Sequence, residues 1–350
     1  MIDLSIVIVT WNTRDLLLEC LSSLESAILA VEQESEETVH IEVIVVDNGS
    51  RDGTMAAVRA GFPFVREVVL PRNRGFSTGS NAGVRVARGR YLLLLNSDAV
   101  VFDDTIPACL DYLDRHPDVG ILGPQLLNSD GTKQNSFHNF PLVLTELLPK
   151  GILQFLFRRR FPSRRWIGTE PCEVEAVAGA AIFTRASVFA RVGSLCEDYF
   201  FFLEETDWCW RVRAAGLRVV HLPKVCVVHH QGASSKRKEP VLTRIEYHRS
   251  LYRFFRTYRG MTATALVFLI RAAKALFYLV SKAPAAIFGA EYRARWRMHR
   301  SVLIWHLRGC PRAVGLAELG SISSEAFAEE ERFSSTHFPD FDSKSEAHAD

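Results

Sequence analysis

The sequence predicts an α/β fold built on a doubly wound, mostly parallel sheet. Strand-like and helix-like segments alternate through residues 4–116. The strand-like segments are apolar along their whole length, which indicates that the sheet is covered on both faces. Strands joined by helices in this way run parallel. Strands are predicted at residues 4–10, 41–46, 67–70 and 91–95, and helices at residues 13–31, 51–60, 77–87 and 103–116.

The second half of the chain has a less regular pattern. A strand is predicted over residues 175–184, and short strands over 217–221 and 225–229. Between them a helix is predicted over residues 204–215, in which Asp207 and Arg211 have the i,i+4 spacing of an ion pair. These elements would complete the same sheet domain.

An amphipathic helical appendage is predicted after the sheet. Residues 261–289 are rich in Leu, Val, Ile, Phe and Ala, and the cations Arg271, Lys274 and Lys282 interrupt the apolar run. At 100° per residue these cations fall on one stripe and the rest of the circumference is apolar. Such a helix can lie in a membrane interface, and the alternative is a helical hairpin packed on the sheet domain.

The composition limits the possible classes of function. The chain has 350 residues, a formal net charge of +2 and 48% hydrophobic residues. These values are typical of a globular protein and argue against broad neutralisation of nucleic-acid phosphates, so we expect no nucleic-acid partner. The seven cysteines are scattered, which predicts neither a zinc cluster nor a disulfide framework. The N-terminal segment has no signal-peptide pattern, and we expect a cytoplasmic protein.

Polar clusters follow three of the predicted strands at the point where each strand ends. They are Thr10–Asn12, Asp47–Ser50 and Asn96–Asp98. The carboxyl ends of parallel strands meet at one edge of a sheet, which is where such sheets bind ligands. A carboxylate is costly to bury there unless it meets a metal, a ligand or water. Asp98 is therefore either a solvated residue at a strand end or a ligand of Mg²⁺ or Mn²⁺. In the second case the metal ion would also bind diphosphate oxygens.

Two loops combine features of a ligand site with a plain structural interpretation. Ser50 or Asp52 can cap the following helix, while Asp47 can accept a hydrogen bond from a nucleobase imide. Residues 73–83 form a glycine-rich loop that enters a helix, where the backbone can approach an anion. This loop matches neither the P-loop nor the GxGxxG dinucleotide pattern.

The candidates for catalysis lie in the second half of the chain. Glu204, Glu205 and Asp207 follow an aromatic run at residues 199–202. Adjacent carboxylates beside apolar walls repel one another, which raises a pKa and prepares a general base. The alternative is an acidic first helical turn that complements the helix dipole. His229 ends a strand and is either a structural histidine or a metal ligand.

In their order along the chain, these segments resemble the family-2 glycosyltransferases of the GT-A fold. The subgroup that looks most similar adds rhamnose or related sugars in cell-surface polysaccharide synthesis. The resemblance extends over roughly residues 4–255, and the ordered set is more specific than any single motif. The matching segments are Val9–Asn12, Asp47–Ser50, Asn73–Phe76, Asn81–Gly83, Leu95–Asp98, Gly179–Ala180, Phe200–Arg211, His229 and Gly232–Ser234.

The resemblance implies a role for each matching position. Glu205 would be the catalytic base, with Glu204 and Asp207 in the same catalytic group. Asp98 would bind a divalent metal, Mg²⁺ or Mn²⁺, and His229 would join it, as in some members. The implied nucleotide-sugar-binding positions are Thr10, Asn12, Asp47, Asn48, Ser50, Arg74, Gly75, Asn81 and Ser97.

The sequence departs from the family pattern at three places. Asn96 replaces the first aspartate of the metal-binding DxD motif, Glu205 replaces the usual aspartate, and Leu195–Cys196 stands where Phe–Asp is common. The implied reaction is a single displacement with inversion at the anomeric carbon. One alternative is a nucleotidyltransferase, which would need a basic glycine-rich loop where this chain has Trp11–Thr13. The other is a non-catalytic, membrane-associated scaffold with the same fold.

These predictions divide the chain into three regions. Residues 1–255 would form the catalytic domain, with a nucleotide-binding half at 1–120 and an acceptor-binding half at 121–255. Residues 256–310 would form a basic helical region on an anionic membrane surface, and residues 311–350 an acidic, disordered tail. The expected partners are a nucleotide-diphosphate sugar and a glycan or lipid-linked acceptor. The expected location is peripheral, on the cytoplasmic inner face of the cell membrane.

Overall fold

The computed structural model describes residues 2–34, 39–157, 168–230 and 240–312, together with Val314 and Leu316. Parts of the sequence prediction lie outside these residues: the Gly232–Ser234 motif and most of the acidic tail at 311–350.

The described chain contains eleven strands and eleven helices. The strands are β1 (Leu4–Thr10), β2 (Ile41–Asp47), β3 (Val65–Val69), β4 (Tyr91–Asn96), β5 (Ala99–Val101), β6 (Val119–Leu127), β7 (Phe137–His138), β8 (Cys172–Glu173), β9 (Ala176–Val177), β10 (Ala181–Arg185) and β11 (Arg218–His229). The helices are α1 (Arg14–Glu34), α2 (Thr54–Gly61), α3 (Phe76–Val86), α4 (Thr105–Arg115), α5 (Val143–Leu147), α6 (Lys150–Leu156), α7 (Ala186–Val192), α8 (Glu204–Ala214), α9 (Pro240–Tyr258), α10 (Gly260–Phe288) and α11 (Ala290–Leu307).

Nine of these strands form one sheet in the order β3-β2-β1-β4-β10-β6-β11-β5, with β8 paired to β11 outside this path. Strands β1, β2, β3, β4, β6 and β11 run in one direction. Strands β5, β8 and β10 run against them. The sheet is therefore mostly parallel, as the alternating pattern predicted.

Two hydrophobic cores cover the two faces of the sheet. Ile6 and Ile8 of β1 pack on one face with Leu17 of α1. Val7 lies between them and packs on the other face, in the core that also contains Trp208 of α8. Because successive side chains of a strand point to opposite faces, a strand buried on both sides must be apolar throughout. This requirement explains the unbroken apolar runs in the sequence.

The second half differs from the prediction in its details. The predicted strand at 175–184 divides into β9 and β10. The two strands predicted on either side of Pro223 are one strand, β11, with a register shift between Leu222 and Cys226. A bulge of this kind lets a strand tolerate proline. The sequence analysis did not predict strands β5 and β6 or helices α5, α6 and α7.

Three helices follow the sheet. Helix α9 belongs to the core that contains Val7 and Trp208, because its Leu251, Phe254 and Phe255 are fully buried there. Helix α10 confirms the helix predicted at 261–289, and it packs against α9, α11 and α5. Helix α11 returns to α9, where Trp305 packs near Ile245.

Candidate active site

A cavity of about 240 Å³ lies at the carboxyl ends of β1 and β4. All three polar clusters predicted from the sequence contribute to its wall, through Thr10, Asn48 and the Asn96–Asp98 segment. The aromatic residues Phe200–Phe202 and His229, which ends β11, close the other side. The edge of the sheet that was predicted to bind a ligand therefore contains a concave site.

His229 lies beside Asp98 because β11 pairs with the short strand β5, which places His229 opposite Ala99. His229 Nε2 is 3.3 Å from Asp98 Oδ1 and 3.4 Å from Asn96 Nδ2. The His229 and Asp98 side chains are 13% and 10% exposed, and both line the cavity. The two residues predicted as metal ligands therefore share one wall.

Gln134 fixes the orientation of the His229 ring. Its Nε2 donates to the carbonyl oxygens of Leu127 and His229, which turns its Oε1 towards His229 Nδ1 at 3.1 Å. An amide oxygen only accepts hydrogen bonds, so Nδ1 carries a proton, and in the neutral form of the ring the lone pair of Nε2 is directed to Asp98. Sequence reasoning missed Gln134, which lies in an irregular segment between β6 and β7.

The Asp98–His229 pair fits a hard divalent cation. A carboxylate oxygen and an imidazole nitrogen face one another, and a cation between them would satisfy both acceptors. Within the described residues, no group of three or more His, Cys, Asp or Glu side chains could hold a metal ion. A cation at this wall would therefore need further ligands, such as diphosphate oxygens and water.

A chain of hydroxyl groups joins the ends of β1 and β4. Thr10 Oγ1 is 2.9 Å from Thr13 Oγ1, which is 3.0 Å from Ser97 Oγ. All three residues line the cavity. Thr10 and Ser97 therefore lie where the sequence analysis expected nucleotide-sugar contacts.

Asn12, Asp47 and Ser50 connect two loops beside the cavity. Ser50 Oγ accepts the backbone N–H of Asn12 at 2.9 Å, and Asp47 Oδ1 accepts the backbone N–H of Ser50 at 2.9 Å. Asn12 Oδ1 accepts the backbone N–H of Arg51 at 2.8 Å. None of the three predicted residues is part of the cavity wall, so their observed contacts position the loops around it.

Asn48 holds the glycine-rich loop against the cavity. Its Nδ2 donates to the carbonyl of Gly75 at 3.0 Å, and its Oδ1 accepts the N–H of Arg74 at 2.9 Å. Gly75 has a φ of 87°, and a Cβ at this position would collide with the carbonyl oxygen of Phe200, so only glycine fits. Asn48 and Gly75 line the cavity, whereas Arg74 is exposed outside its wall.

The structure does not bring Asn81 to the cavity. Asn81 is buried on α3, where its Nδ2 donates to the carbonyl of Leu195 at 2.9 Å and to Glu197 at 3.1 Å. Its Oδ1 accepts the N–H of Leu195 at 3.1 Å. The side-chain amide is used to fix the segment before the aromatic run, so the geometry does not support the predicted nucleotide-sugar contact of Asn81.

Glu205 lies at the start of α8, three residues after Phe202, which lines the cavity; Glu205 itself is not part of the cavity wall. The two residues before α8, Phe202 and Leu203, have positive φ angles of 73° and 64°. Strained residues of this kind cluster at functional sites. Burial raises the pKa of Glu205 to about 7. Its Oε1 lies 3.3 Å from Thr206 Oγ1 and 3.6 Å from His138 Nε2. Sequence reasoning missed His138, which pairs with Ala176 in the small sheet.

Glu204 and Asp207 have different surroundings. Glu204 is buried, and its Oε2 has no hydrogen-bond partner among the described residues. Burial and the charge of Glu205 raise its pKa well above the usual range. Asp207 accepts from Arg211 Nε at 2.9 Å, which confirms the predicted ion pair, and from the Tyr258 hydroxyl at 2.7 Å. Both of its oxygens are engaged, so the geometry does not support the predicted catalytic part for Asp207.

The fold and the cavity define an α/β enzyme of the GT-A type, and the comparisons with known proteins identify its family. The family model described as Glycosyl transferase family 2 matches residues 5–188, more than half of the chain. The chain therefore belongs to this family and is a glycosyltransferase, which confirms the predicted family, fold class and enzyme class. Family membership also decides against a nucleotidyltransferase.

The relatives of the chain take part in glycan synthesis. The N-acetylglucosaminyl-diphospho-decaprenol L-rhamnosyltransferase of Mycobacterium tuberculosis is 28% identical over 233 residues, which cover 61% of this chain and 74% of the relative. A low-salt glycan biosynthesis hexosyltransferase of Haloferax volcanii is 25% identical over 241 residues, which cover 68% and 70%. This chain is accordingly a glycosyltransferase of glycan synthesis.

A solved structure shares the fold. The mannosyltransferase of Pyrobaculum calidifontis, in complex with GDP-Man and Mn²⁺, has a TM-score of 0.51 and 17% sequence identity. The similarity covers 88% of this chain and 86% of that protein.

Proposed function

We propose that this chain is an inverting glycosyltransferase that moves rhamnose or a similar hexose from a nucleotide-diphosphate donor to a hydroxyl group of a glycan or lipid-linked acceptor. The main support is one arrangement: the Asp98–His229 pair lines the cavity, and the high-pKa carboxyl group of Glu205 is connected to the same wall through the Gly179–Ala180 segment. Glu205 packs against Gly179, and the carbonyl of the next residue, Ala180, accepts the N–H of Asn96.

The rhamnosyltransferase relative supports the choice of sugar and acceptor. Its name specifies L-rhamnose and an acceptor in which N-acetylglucosamine is linked through diphosphate to decaprenol. The Haloferax volcanii relative is named only as a hexosyltransferase, which is why the proposal includes similar hexoses.

Donor binding is assigned to the strand ends. Thr10, Asn48, Gly75 and Ser97 would contact the nucleotide sugar from the cavity wall. Asp47 would accept a hydrogen bond from the nucleobase imide, with Asn12 and Ser50 holding its loop. Thr10, Asn48 and Ser97 lie at the ends of β1, β2 and β4, and Gly75 lies in the glycine-rich loop before α3. Such sheets bind nucleotides at this edge.

Asp98 and His229 would hold Mg²⁺ or Mn²⁺ together with the donor diphosphate. The Mn²⁺ in the structural neighbour supports this choice of metal. When bound, the cation would supply positive charge to the leaving diphosphate. Gln134 would keep the Nε2 lone pair of His229 available by holding the proton on Nδ1.

Glu205 would act as the general base. In its ionised form it takes the proton of the acceptor hydroxyl as that oxygen bonds to the anomeric carbon and the bond to the diphosphate breaks. Attack from the side opposite the leaving group inverts the configuration. A pKa of about 7 places half of Glu205 in the ionised form near neutral pH, where a general base is most effective. Thr206 and His138 hold its carboxylate in place.

The proposed location is peripheral, on the cytoplasmic face of the cell membrane, with an anionic lipid surface as a partner. Helix α10 supports this location. Its segment Gly260–Ala283 is long and apolar enough to cross a membrane, with a mean hydropathy of 1.8, yet only 11% of its most apolar window is buried in the protein. A lipid-linked acceptor would also be found at that surface.

The proposed activity can be tested with a panel of nucleotide-diphosphate sugars. The purified protein should be stabilised against heat by its own donor in the presence of Mn²⁺, because a ligand of the native state raises the melting temperature. The same donor should be hydrolysed slowly without acceptor and consumed faster with a polyprenyl-diphosphate-linked N-acetylglucosamine. Donor binding without hydrolysis or transfer would instead favour the non-catalytic scaffold.

A further inference from the structure

We infer that the protein docks on an anionic bilayer through two helices, α10 and α6. Arg271 and Lys274 of α10 hold this helix to the catalytic domain instead of facing lipid. This inference rests on the membrane location proposed above. The docking surface is defined by three exposed side chains on each helix: Leu269, Phe277 and Val280 on α10, and Ile152, Phe155 and Leu156 on α6.

Two cations of the stripe on α10, Arg271 and Lys274, bind the protein. Arg271 forms an ion pair with Glu146 of α5, whose carboxylate is buried, and its guanidinium lies over the ring of Tyr247 at 5.5 Å. Lys274 Nζ donates to the backbone carbonyl of Glu146. The sequence analysis placed this basic helix on an anionic membrane surface, whereas the charged ends of Arg271 and Lys274 bind α5.

The opposite side of α10 is apolar and has no partner among the described residues. Leu269, Phe277 and Val280 are 61–73% exposed, and their spacing places them on one side of the helix. Val267 and Ala275 on the other side are buried. The helix therefore has a buried, charged side and an exposed, apolar side, which is the reverse of a surface helix in a water-soluble domain.

Helix α6 carries a second apolar area and is joined to α10 through α5. Helix α5 packs against α10, and two residues separate the end of α5 from the start of α6. Ile152, Phe155 and Leu156 are exposed, and Phe155 is the most exposed large apolar side chain described, at 81%. Contiguous apolar patches of this kind mark interaction sites, whereas single exposed apolar residues do not.

The charges around the docking surface favour an anionic bilayer. Helix α11 packs against α10 and carries the exposed cations Arg297 and Arg300. A second protein copy would place these like charges near one another, whereas anionic headgroups would neutralise them.

The internal contacts of α10 favour a helix that lies along the bilayer. A helix that crosses the bilayer would have to pull Arg271 and Lys274 away from Glu146 and leave α9 and α11. A helix that keeps these contacts can still bury its exposed side in the interface. The docking surface therefore predicts peripheral binding that salt weakens.

The test is flotation of the full chain with vesicles of phosphatidylcholine that contain increasing phosphatidylglycerol. One variant replaces the α6 residues (Phe155→Ser with Leu156→Ser), and another replaces the α10 residues (Leu269→Ser with Phe277→Ser). The matched control is Leu29→Ser with Phe64→Ser, two apolar residues of 51% and 42% exposure on other elements. Circular dichroism and thermal unfolding check that each variant is folded.

The wild type and the control should float only with anionic vesicles and less well at high salt. Each docking variant should bind at least about tenfold more weakly, because each loses two inserted side chains. Undiminished flotation of the α6 variant would overturn the two-helix surface. Resistance of the bound protein to alkaline carbonate would show a crossing helix, and a dimer that the same substitutions dissociate would show a second copy instead; both would contradict the inference.

The same variants separate this inference from the proposed function. They should hydrolyse the donor in solution at the wild-type rate, because none of their residues lies in the cavity wall. If the wild type failed to bind anionic vesicles but still hydrolysed the donor, the docking surface alone would be wrong. Normal vesicle binding by the wild type without any turnover would instead contradict the proposed enzyme activity.

Discussion

The two sides of the site are built by different means. The Asp98–His229 wall depends on strand pairing, since β5 and β11 place the two residues next to one another at the edge of the sheet. Glu205 depends on burial at the start of a helix, where the effect of burial outweighs that of its hydrogen bonds and raises the pKa of its carboxyl group. The comparison teaches that one side is arranged to bind charge, and the other to move a proton. Substitutions on the two sides should therefore affect different steps.

The largest effect is expected from Glu205→Gln, which removes the proposed base and preserves its size. Turnover should fall by about 10²–10⁴-fold, the usual contribution of a general base, while donor affinity stays within about twofold. A transfer assay and calorimetric donor titration would measure the two quantities.

Glu204→Gln is the matched control for this substitution. It removes a neighbouring buried carboxyl group that we assign no proton transfer, so its effect on turnover should be much smaller. If Glu204→Gln were the more damaging change, the roles of the two residues would be exchanged.

Asp98→Asn should have the next largest effect, and on binding instead of proton transfer. Loss of one negative ligand should weaken Mn²⁺-dependent donor binding by about a hundredfold or more, because charge neutralisation by a bound cation contributes several kcal/mol. Calorimetry with and without Mn²⁺ would measure this loss. Equal donor affinity for the variant and the wild type would remove Asp98 from the metal site.

Gln134→Ala sharpens the description of the same wall. Without the Gln134 amide, the His229 ring can rotate or change tautomer, so Mn²⁺ affinity in the presence of a nucleoside diphosphate should fall by about 10–100-fold. Electron paramagnetic resonance of free Mn²⁺ reports this affinity independently of turnover. Asn128→Ala, which removes only a hydrogen bond to Thr132 in the turn after β6, should leave it unchanged.

The smallest expected effect is a shift in the pH profile. Glu205 works in its ionised form, so turnover should rise about tenfold per pH unit below 7 and level off above it. The Thr206 hydroxyl stabilises the ionised form and lowers the pKa. Thr206→Val should therefore move the midpoint to higher pH, by about one unit or less. A midpoint that moved to lower pH would show that Thr206 does not donate to Glu205.

The sequence predicted the half of the site in which function follows from local pattern. An apolar run followed by polar residues predicts a strand and the sheet edge at which it ends, as at Thr10 and Asp98. The family resemblance then supplied the roles of His229 and Glu205. Gly75 was predicted near the ligand, and its backbone angle and close approach to Phe200 explain why glycine stands there.

The rest depended on contacts between distant parts of the chain. Gln134 meets His229 and His138 meets Glu205 only after β6, β9 and β11 have assembled, and neither residue belongs to a periodic segment. The sequence pattern also could not predict which side of α10 faces the protein. A charged stripe on a helix predicts a polar side, but only the position of Glu146 shows that this side faces the protein.

One residue of the cavity wall comes from the C-terminal part of the chain. Leu316 lines the cavity although it lies beyond α11, and its backbone is hydrogen-bonded to Glu246 of α9. Arg249 of the same helix donates to the carbonyl oxygens of Arg312 and Val314. No sequence pattern indicated that this segment returns to the catalytic edge of the sheet.

The most direct test of the central claim is the anomeric configuration of the product. The purified enzyme, Mn²⁺, its nucleotide-sugar donor and a polyprenyl-diphosphate-linked acceptor would be incubated at pH 8, and the new glycosidic bond examined by nuclear magnetic resonance. A base such as Glu205 acting in a single displacement predicts transfer with inversion, which Glu205→Gln should abolish at an unchanged donor affinity. A product with retained configuration, or equal rates of transfer by the wild type and the variant, would contradict the account.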